Sequence, residues 1–199
     1  MNKPAPEKLE KLRRALEDYE SGATGGGLFD VQEEEAKAKV RSRALLLLDQ
    51  RARSRKELSD RLIGLEFDQE VVEMVLDDLT NVGLVNDSAF AKEWVRQRHE
   101  RRGKSARALD RELQEKGVSQ AERAEALKQV TQDSEESIAQ ALAEKKARSI
   151  KSVPADRGER DKYLRRIVGV LARRGFNQGM SMSIAIAALD ARIEELEQE

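Results

Sequence analysis

Apolar residues recur at helical spacing through most of the chain, and from about residue 36 onward one anchor appears three times. It consists of an apolar residue, a second one four positions later, and then a turn residue and an apolar residue four and five positions beyond that. The three copies read Leu58, Leu62, Glu66-Phe67; Leu109, Leu113, Gly117-Val118; and Ile167, Leu171, Gly175-Phe176. They lie 51 residues apart (58 to 109) and 58 residues apart (109 to 167). Downstream the register continues, with Val75, Leu76 and Leu79 matching Ala126, Leu127 and Val130, and then Ile184, Ala185 and Ala188. A further apolar stretch precedes each anchor: Ala44 to Leu48, Phe90-Ala91 with Trp94-Val95, and Ile138-Ala139 with Leu142-Ala143. Each unit therefore reads as three helices, and a repeat of this kind decides the fold. Breaks are predicted near Gly64, Gly83, Gly103, Gly117, Gly158 and Gly175, with Ser54, Asp68, Asp87, Ser105, Ser119 and Ser134 as helix caps. One apolar stripe per helix closes only against two others, so a short unit buries little and leans on its neighbours.

The expected fold is an all-α, elongated array of three tandem three-helix repeats, at residues 36–82, 83–132 and 133–190. Residues 1–35 read as a flexible extension. Within it Leu9, Leu12 and Leu16 form a stripe on Glu7–Glu20, and a glycine-rich linker spans 21–27. Residues 191–199 read as an acidic tail. Composition agrees: Ala, Leu, Glu, Lys and Arg make up more than half of the 199 residues, and only Pro4, Pro6 and Pro154 could break a helix. Absence of cysteine excludes disulfides, thiolate metal sites and thiol catalysis, and the single histidine, His99, excludes paired-histidine metal sites. No apolar run exceeds six residues (Ile184–Leu189), far below the roughly 20 needed to cross a bilayer, so a soluble cytoplasmic chain is expected.

The net charge of −1 conceals a segregation. Residues 1–36 and 190–199 each carry −4 and the body between them +7, a pattern suited to an anionic partner. The basic residues cluster near helix junctions: Arg51, Arg53, Arg55 and Lys56; Arg96, Arg98, Arg101, Arg102, Lys104 and Arg107; Lys145, Lys146, Arg148 and Lys151; and Arg165, Arg166, Arg173 and Arg174. Stacked repeats place equivalent positions along one surface, so these clusters are the candidate binding stripe. The competing reading is a solvated surface with intrahelical partners such as Glu93 or Glu144. Gly103-Lys104-Ser105 resembles the end of a phosphate loop, but Arg98 stands where the loop needs glycine and no strand precedes it. His99-Glu100 lacks a second histidine and a nucleophile, and the run of arginines around His99 assigns it to the polar face of its helix. Asp60, Asp68 and Asp77-Asp78 lack the glycine-turned loop of a cation site. No catalytic residue, metal or cofactor is expected. The anchor residues and Trp94 belong to the core.

Two stretches carry a family resemblance: Arg51-Ala52-Arg53-Ser54-Arg55-Lys56-Glu57-Leu58 with Leu62, and Gly83-Leu84-Val85-Asn86-Asp87-Ser88-Ala89-Phe90-Ala91 with Trp94-Val95 and Arg98. Together with Arg107, Leu109, Glu112-Leu113, Lys116-Gly117-Val118 and Arg173-Arg174-Gly175-Phe176, they resemble the RecX family, regulators of the RecA recombinase, over about residues 38–189. The chain departs from the family pattern at Asn86, where an acidic residue is common, and in the longer segment Arg148–Arg160. The resemblance implies tandem three-helix repeats and binding to RecA filaments on single-stranded DNA, with lowered ATPase and strand exchange. Weak direct nucleic-acid binding is expected beside it, the short apolar runs argue against a membrane partner, and a capped solenoid needs no partner chain, so a monomer is expected. Three-helix units with sharp turns also suit a helix-turn-helix regulator acting on duplex DNA alone, which stays open as the alternative.

Overall fold

The computed structural model describes residues 31–198, which form nine helices and no strand. They are α1 (Val31–Gln50), α2 (Arg55–Ile63), α3 (Gln69–Asn81), α4 (Asp87–Arg102), α5 (Ala106–Glu115), α6 (Gln120–Leu127), α7 (Gln132–Ala147), α8 (Arg157–Arg173) and α9 (Gln178–Gln198). The expectations for residues 1–30, including the Glu7–Glu20 helix and the glycine linker, lie outside the described residues. Residues 191–198, read from the sequence as a tail, continue α9, and Ile193 and Leu196 pack against the last core.

Most helix–helix packing is internal to a unit, and each unit has its own core. The first is built on Val40, Ala44, Leu47, Leu58, Leu62, Val72, Val75, Leu76, Leu79 and Val85. Phe90, Ala91, Val95, Leu109, Leu113, Val118 and Ala126 form the second. The third collects Ala139, Ala143, Ala147, Ile150, Ile167, Leu171, Phe176, Ile184, Ala185 and Leu189. The two leading anchor positions of each unit, six in all, are fully buried. Burying a leucine contributes roughly 1.5–3 kcal/mol, so the anchors dominate the stability of each small unit.

Local chemistry sets the helix starts. Ser54, Asp68, Ser105 and Ser119 cap α2, α3, α5 and α6 through their side-chain oxygens, and Ser119 forms a reciprocal capping box with Glu122. Two expected caps are corrected. Asn86, not Asp87, caps α4: its Oδ1 accepts the Ala89 N–H at 2.8 Å, while Asp87 accepts the Arg55 N–H. Thr131, not Ser134, caps α7, accepting the Ser134 N–H at 3.2 Å. The break expected near Gly158 falls between Ala147 and Arg157, and Gly158 itself lies in the first turn of α8, behind the Asp156 cap. The turn between second and third helix needs a left-handed residue in each unit. Gly117 (φ 76°) and Gly175 (φ 89°) supply it, whereas the first unit uses Glu66 (φ 67°).

Candidate binding surface at the joints between repeats

The units are linked by a joint that is built twice. In each copy the residue capping the unit's second helix meets the helix turn of the following unit. At the first joint the Ser54 hydroxyl donates to the Lys116 carbonyl (2.7 Å) and the Arg55 N–H donates to Asp87 Oδ1 (2.7 Å). At the second the Ser105 N–H donates to the Arg174 carbonyl (3.0 Å) and the Ala106 N–H to Glu135 Oε1 (2.6 Å). Ser54 and Ser105 differ by 51 positions, and Lys116 and Arg174 by 58, so the joint obeys the same offsets as the anchors. The turn glycines belong to it. A Cβ on Gly117 would lie 2.6 Å from Lys56 Cβ, and one on Gly175 would lie 2.6 Å from both Ala108 Cβ and Ser105 Oγ.

His99 is part of the second joint, which corrects its assignment to the polar face. It is buried, with Nδ1 2.9 Å from the Lys104 carbonyl oxygen and Nε2 3.0 Å from Ser134 Oγ. The arginines on either side of it suggest a solvated face; the fold turns this position inward because α7 packs against the end of α4.

The candidate cations divide by what already holds them. Arg51 pairs with Glu57 (3.0 Å), and Arg55 with Glu73 (2.7 Å) and Asp77 (2.8 Å). Arg53 donates to the Leu47 carbonyl (3.0 Å), and burial pulls its guanidinium below the usual range. Arg96 pairs along its own helix with Glu93 (2.7 Å) and Glu100 (3.5 Å). Hydrogen bonds from Arg96 and Gln97 hold the Glu93 carboxyl down at about 2. Arg98 lies over the Trp94 ring at 3.6 Å and reaches Glu112 at 3.5 Å, while Lys104 pairs with Glu112 at 2.5 Å. Lys116 also sits on the Trp94 ring, at 4.2 Å, and bonds Glu57.

In this first-joint network two carboxylates, Glu57 and Glu112, hold four cations. Burial pushes the Glu57 and Glu112 carboxyls up, but hydrogen bonds from Arg51 and Lys116, and from Lys104 and the Trp94 indole, outweigh it and hold both below the ordinary range. Trp94, expected as plain core, is half-buried and supports these cations; its Nε1–H donates to Glu112 at 3.0 Å.

Arg101 and Arg102 stand exposed at the end of α4, Lys145 on α7 and Arg165 on α8. Lys146 lines a small cleft with Tyr163 and Arg166, and Arg174 packs near Gly103. Arg107 and Arg173 both line a groove of about 600 Å³ at the second joint, together with Lys104 and with Arg111, which the sequence reading missed. Its one signal there was its i+4 spacing from Arg107.

Among the described residues no group of three or more acidic or histidine side chains could hold a metal, and no helix is long and apolar enough to cross a membrane. Fold and surface together define a helical-repeat protein whose distinctive chemistry is charge arranged at its joints. Residues 41–79 match the family model for the first three-helix domain of RecX, and residues 86–127 that for its second three-helix domain. The chain is 60% identical over 195 residues to the regulatory protein RecX of Corynebacterium efficiens, covering 96% of this chain and 92% of that one. It is 42% identical over 151 residues to the protein of that name from Mycolicibacterium vanbaalenii (75% of this chain, 82% of the relative). The chain belongs to the RecX family, whose members are named regulatory proteins. The crystal structure of RecX from Lactobacillus salivarius superposes with a TM-score of 0.63 at 25% identity, covering 83% of this chain and 99% of that one. A second RecX crystal structure, at 22% identity and a TM-score of 0.70, shares the fold.

Proposed function

We propose that this protein binds the RecA recombinase, chiefly as a filament on single-stranded DNA, and lowers its ATP hydrolysis and strand exchange without catalytic activity of its own. Membership of the RecX family over nearly the whole chain carries the reading. The repeated joint supports it, because three units linked by one rule form an array able to follow a partner that is itself repetitive. In this reading the protein acts as a cytoplasmic monomer in DNA repair, recombination and the SOS response. The exposed cations, among them Arg101, Arg102, Arg107, Lys145, Arg165 and Arg173, face acidic RecA surface and nearby DNA phosphates. An array bridging neighbouring RecA subunits limits the subunit motion that ATP turnover requires.

The test is RecA's single-strand-dependent ATP hydrolysis, titrated with this protein at fixed moderate salt. Inhibition is expected well below one protein per RecA, and it should weaken in an R102E/R107E variant with unchanged helical signal. Arg98 is left intact there because it holds Trp94 and Glu112. Normal hydrolysis with no co-sedimentation on filaments would overturn the reading, and tight, sequence-selective duplex binding without RecA would replace it with the helix-turn-helix alternative.

A further inference from the structure

The two joints share one geometry but differ in charge. At the first joint the groove walls include Asp60 and Glu115; the positions matching them by the repeat offsets at the second joint are Arg111 (60 to 111) and Arg173 (115 to 173). Lys56 is matched by Arg107 (56 to 107), which keeps its charge while Glu57, Asp60 and Glu115 give way to Ala108, Arg111 and Arg173, leaving Glu112 as the one carboxylate that lines the second groove. The first groove is thus neutralised from within, Lys56 by Asp60 at 2.5 Å, whereas Arg107, Arg111 and Arg173 make no ion pair among the described residues. Lys104 at the rim is already taken by Glu112. Three guanidinium groups therefore bring about three uncompensated positive charges to one groove floored by Val168, Ala172 and Phe176.

A second, independent observation marks the same place. Ser181, in the first turn of α9, lines this groove and is 1% exposed, and its hydroxyl is the one buried side-chain oxygen or nitrogen among the described residues without a hydrogen-bond partner. An unsatisfied buried hydroxyl is costly and calls for a reason at its site. The start of α9 adds the partial positive charge of a helix N-terminus on the same side.

We propose that the groove at the second joint is a binding site for a phosphoryl group. Forked guanidinium donors arriving from two helices, with a hydroxyl donor beside them, suit a tetrahedral oxyanion with several acceptor oxygens better than a planar carboxylate. The excess of positive charge exceeds what a single carboxylate offsets. The group comes either from a free phosphate ester or from the backbone of a nucleic-acid strand. The inference rests on the reading that the cations face an anion, and not on RecA.

Its test therefore contains no RecA. Full-length protein is titrated with inorganic pyrophosphate, and separately with an oligothymidylate lacking a 5′-phosphate, at constant ionic strength. Binding is followed by calorimetry and by the arginine side-chain NMR signals. Binding is expected to shift the Arg107, Arg111 and Arg173 signals, and R107Q/R111Q should weaken it at least tenfold. The equally charged exposed pair R61Q/R157Q, which lies outside the groove, should change it less than twofold. Ser181→Ala separates ligation from folding: it should raise the melting temperature of the free protein while weakening binding several-fold. Pyrophosphate binding alone identifies a free phosphate ester as the source; oligothymidylate competing at the same signals identifies the strand. Equal losses in both arginine pairs, or no shift at the three groove arginines, would overturn the proposal.

Discussion

Replacing Gly175 by alanine tests the joint, because a second glycine provides the matching control. Gly83 and Gly175 both have positive φ, 77° and 89°. A Cβ on Gly83 would meet nothing within 4 Å, whereas one on Gly175 would lie 2.6 Å from both Ala108 Cβ and Ser105 Oγ. Gly83→Ala therefore carries only the backbone cost of the left-handed region, about 1–2 kcal/mol. Gly175→Ala carries that cost plus overpacking against a rigid helix start, which adds about 1–3 kcal/mol. Ala108 has no rotamer through which to yield, and Ser105 is fixed as the cap of α5, accepting the Ala108 N–H at 3.2 Å. The strain is relieved most easily by parting the second and third units. Urea unfolding followed by circular dichroism and by Trp94 fluorescence measures both effects. Trp94 is the sole tryptophan and lies in the second unit. Gly175→Ala should lower stability by about 1–3 kcal/mol more than Gly83→Ala. It should also split the transition, with third-unit helix lost apart from the Trp94 signal, since units with separate cores unfold together only through their joints. Equal destabilisation by the two variants, with a single transition in both, would refute the close contact at the joint.

Other expectations follow from the same geometry. Glu66 holds the left-handed turn position that glycine fills in the other two units, so Glu66→Gly should stabilise the protein by about 1 kcal/mol, seen as a higher denaturation midpoint; an unchanged or lower midpoint counts against strain there. His99→Phe keeps the ring volume but leaves the buried Lys104 carbonyl without its partner, and should cost about 1–3 kcal/mol in urea unfolding, whereas a solvated histidine would cost nothing. The depressed Glu57 and Glu112 carboxyls contribute stability that is complete above the ordinary glutamate range, near 4.3, and is lost as the pH falls through their lower folded values. Asp87, which burial pushes up, works in the opposite sense and softens this loss. Unfolding measured at pH 5 and pH 3 should therefore show a smaller acid-induced drop in Glu112→Gln than in the parent, and identical drops would remove Glu112 from the network.

The repeat itself was legible in the chain. Leu58, Leu62, Leu109, Leu113, Ile167 and Leu171 recur at fixed offsets, and burying one stripe per helix leaves little alternative to three-helix units. Serine caps and left-handed glycines are local devices, so Ser54, Ser105, Ser119, Gly117 and Gly175 could be placed without knowing what lay beyond them. Caps with two neighbouring candidates, as at Asn86-Asp87, could not, because the choice was made by Arg55, 32 residues away. The cations show the same division. Composition and clustering gave their positions, but whether each is free depends on which carboxylate the fold brings to it. Arg98 and Lys104 meet Glu112 and are spent inside the molecule, while Arg107, Arg111 and Arg173 line a groove whose one carboxylate, Glu112, is already paired with Lys104. Helical periodicity acts over a few residues and is written in the sequence. Pairing of charge across a joint reaches much further, 59 residues between Glu57 and Lys116, and only the tertiary structure decides it.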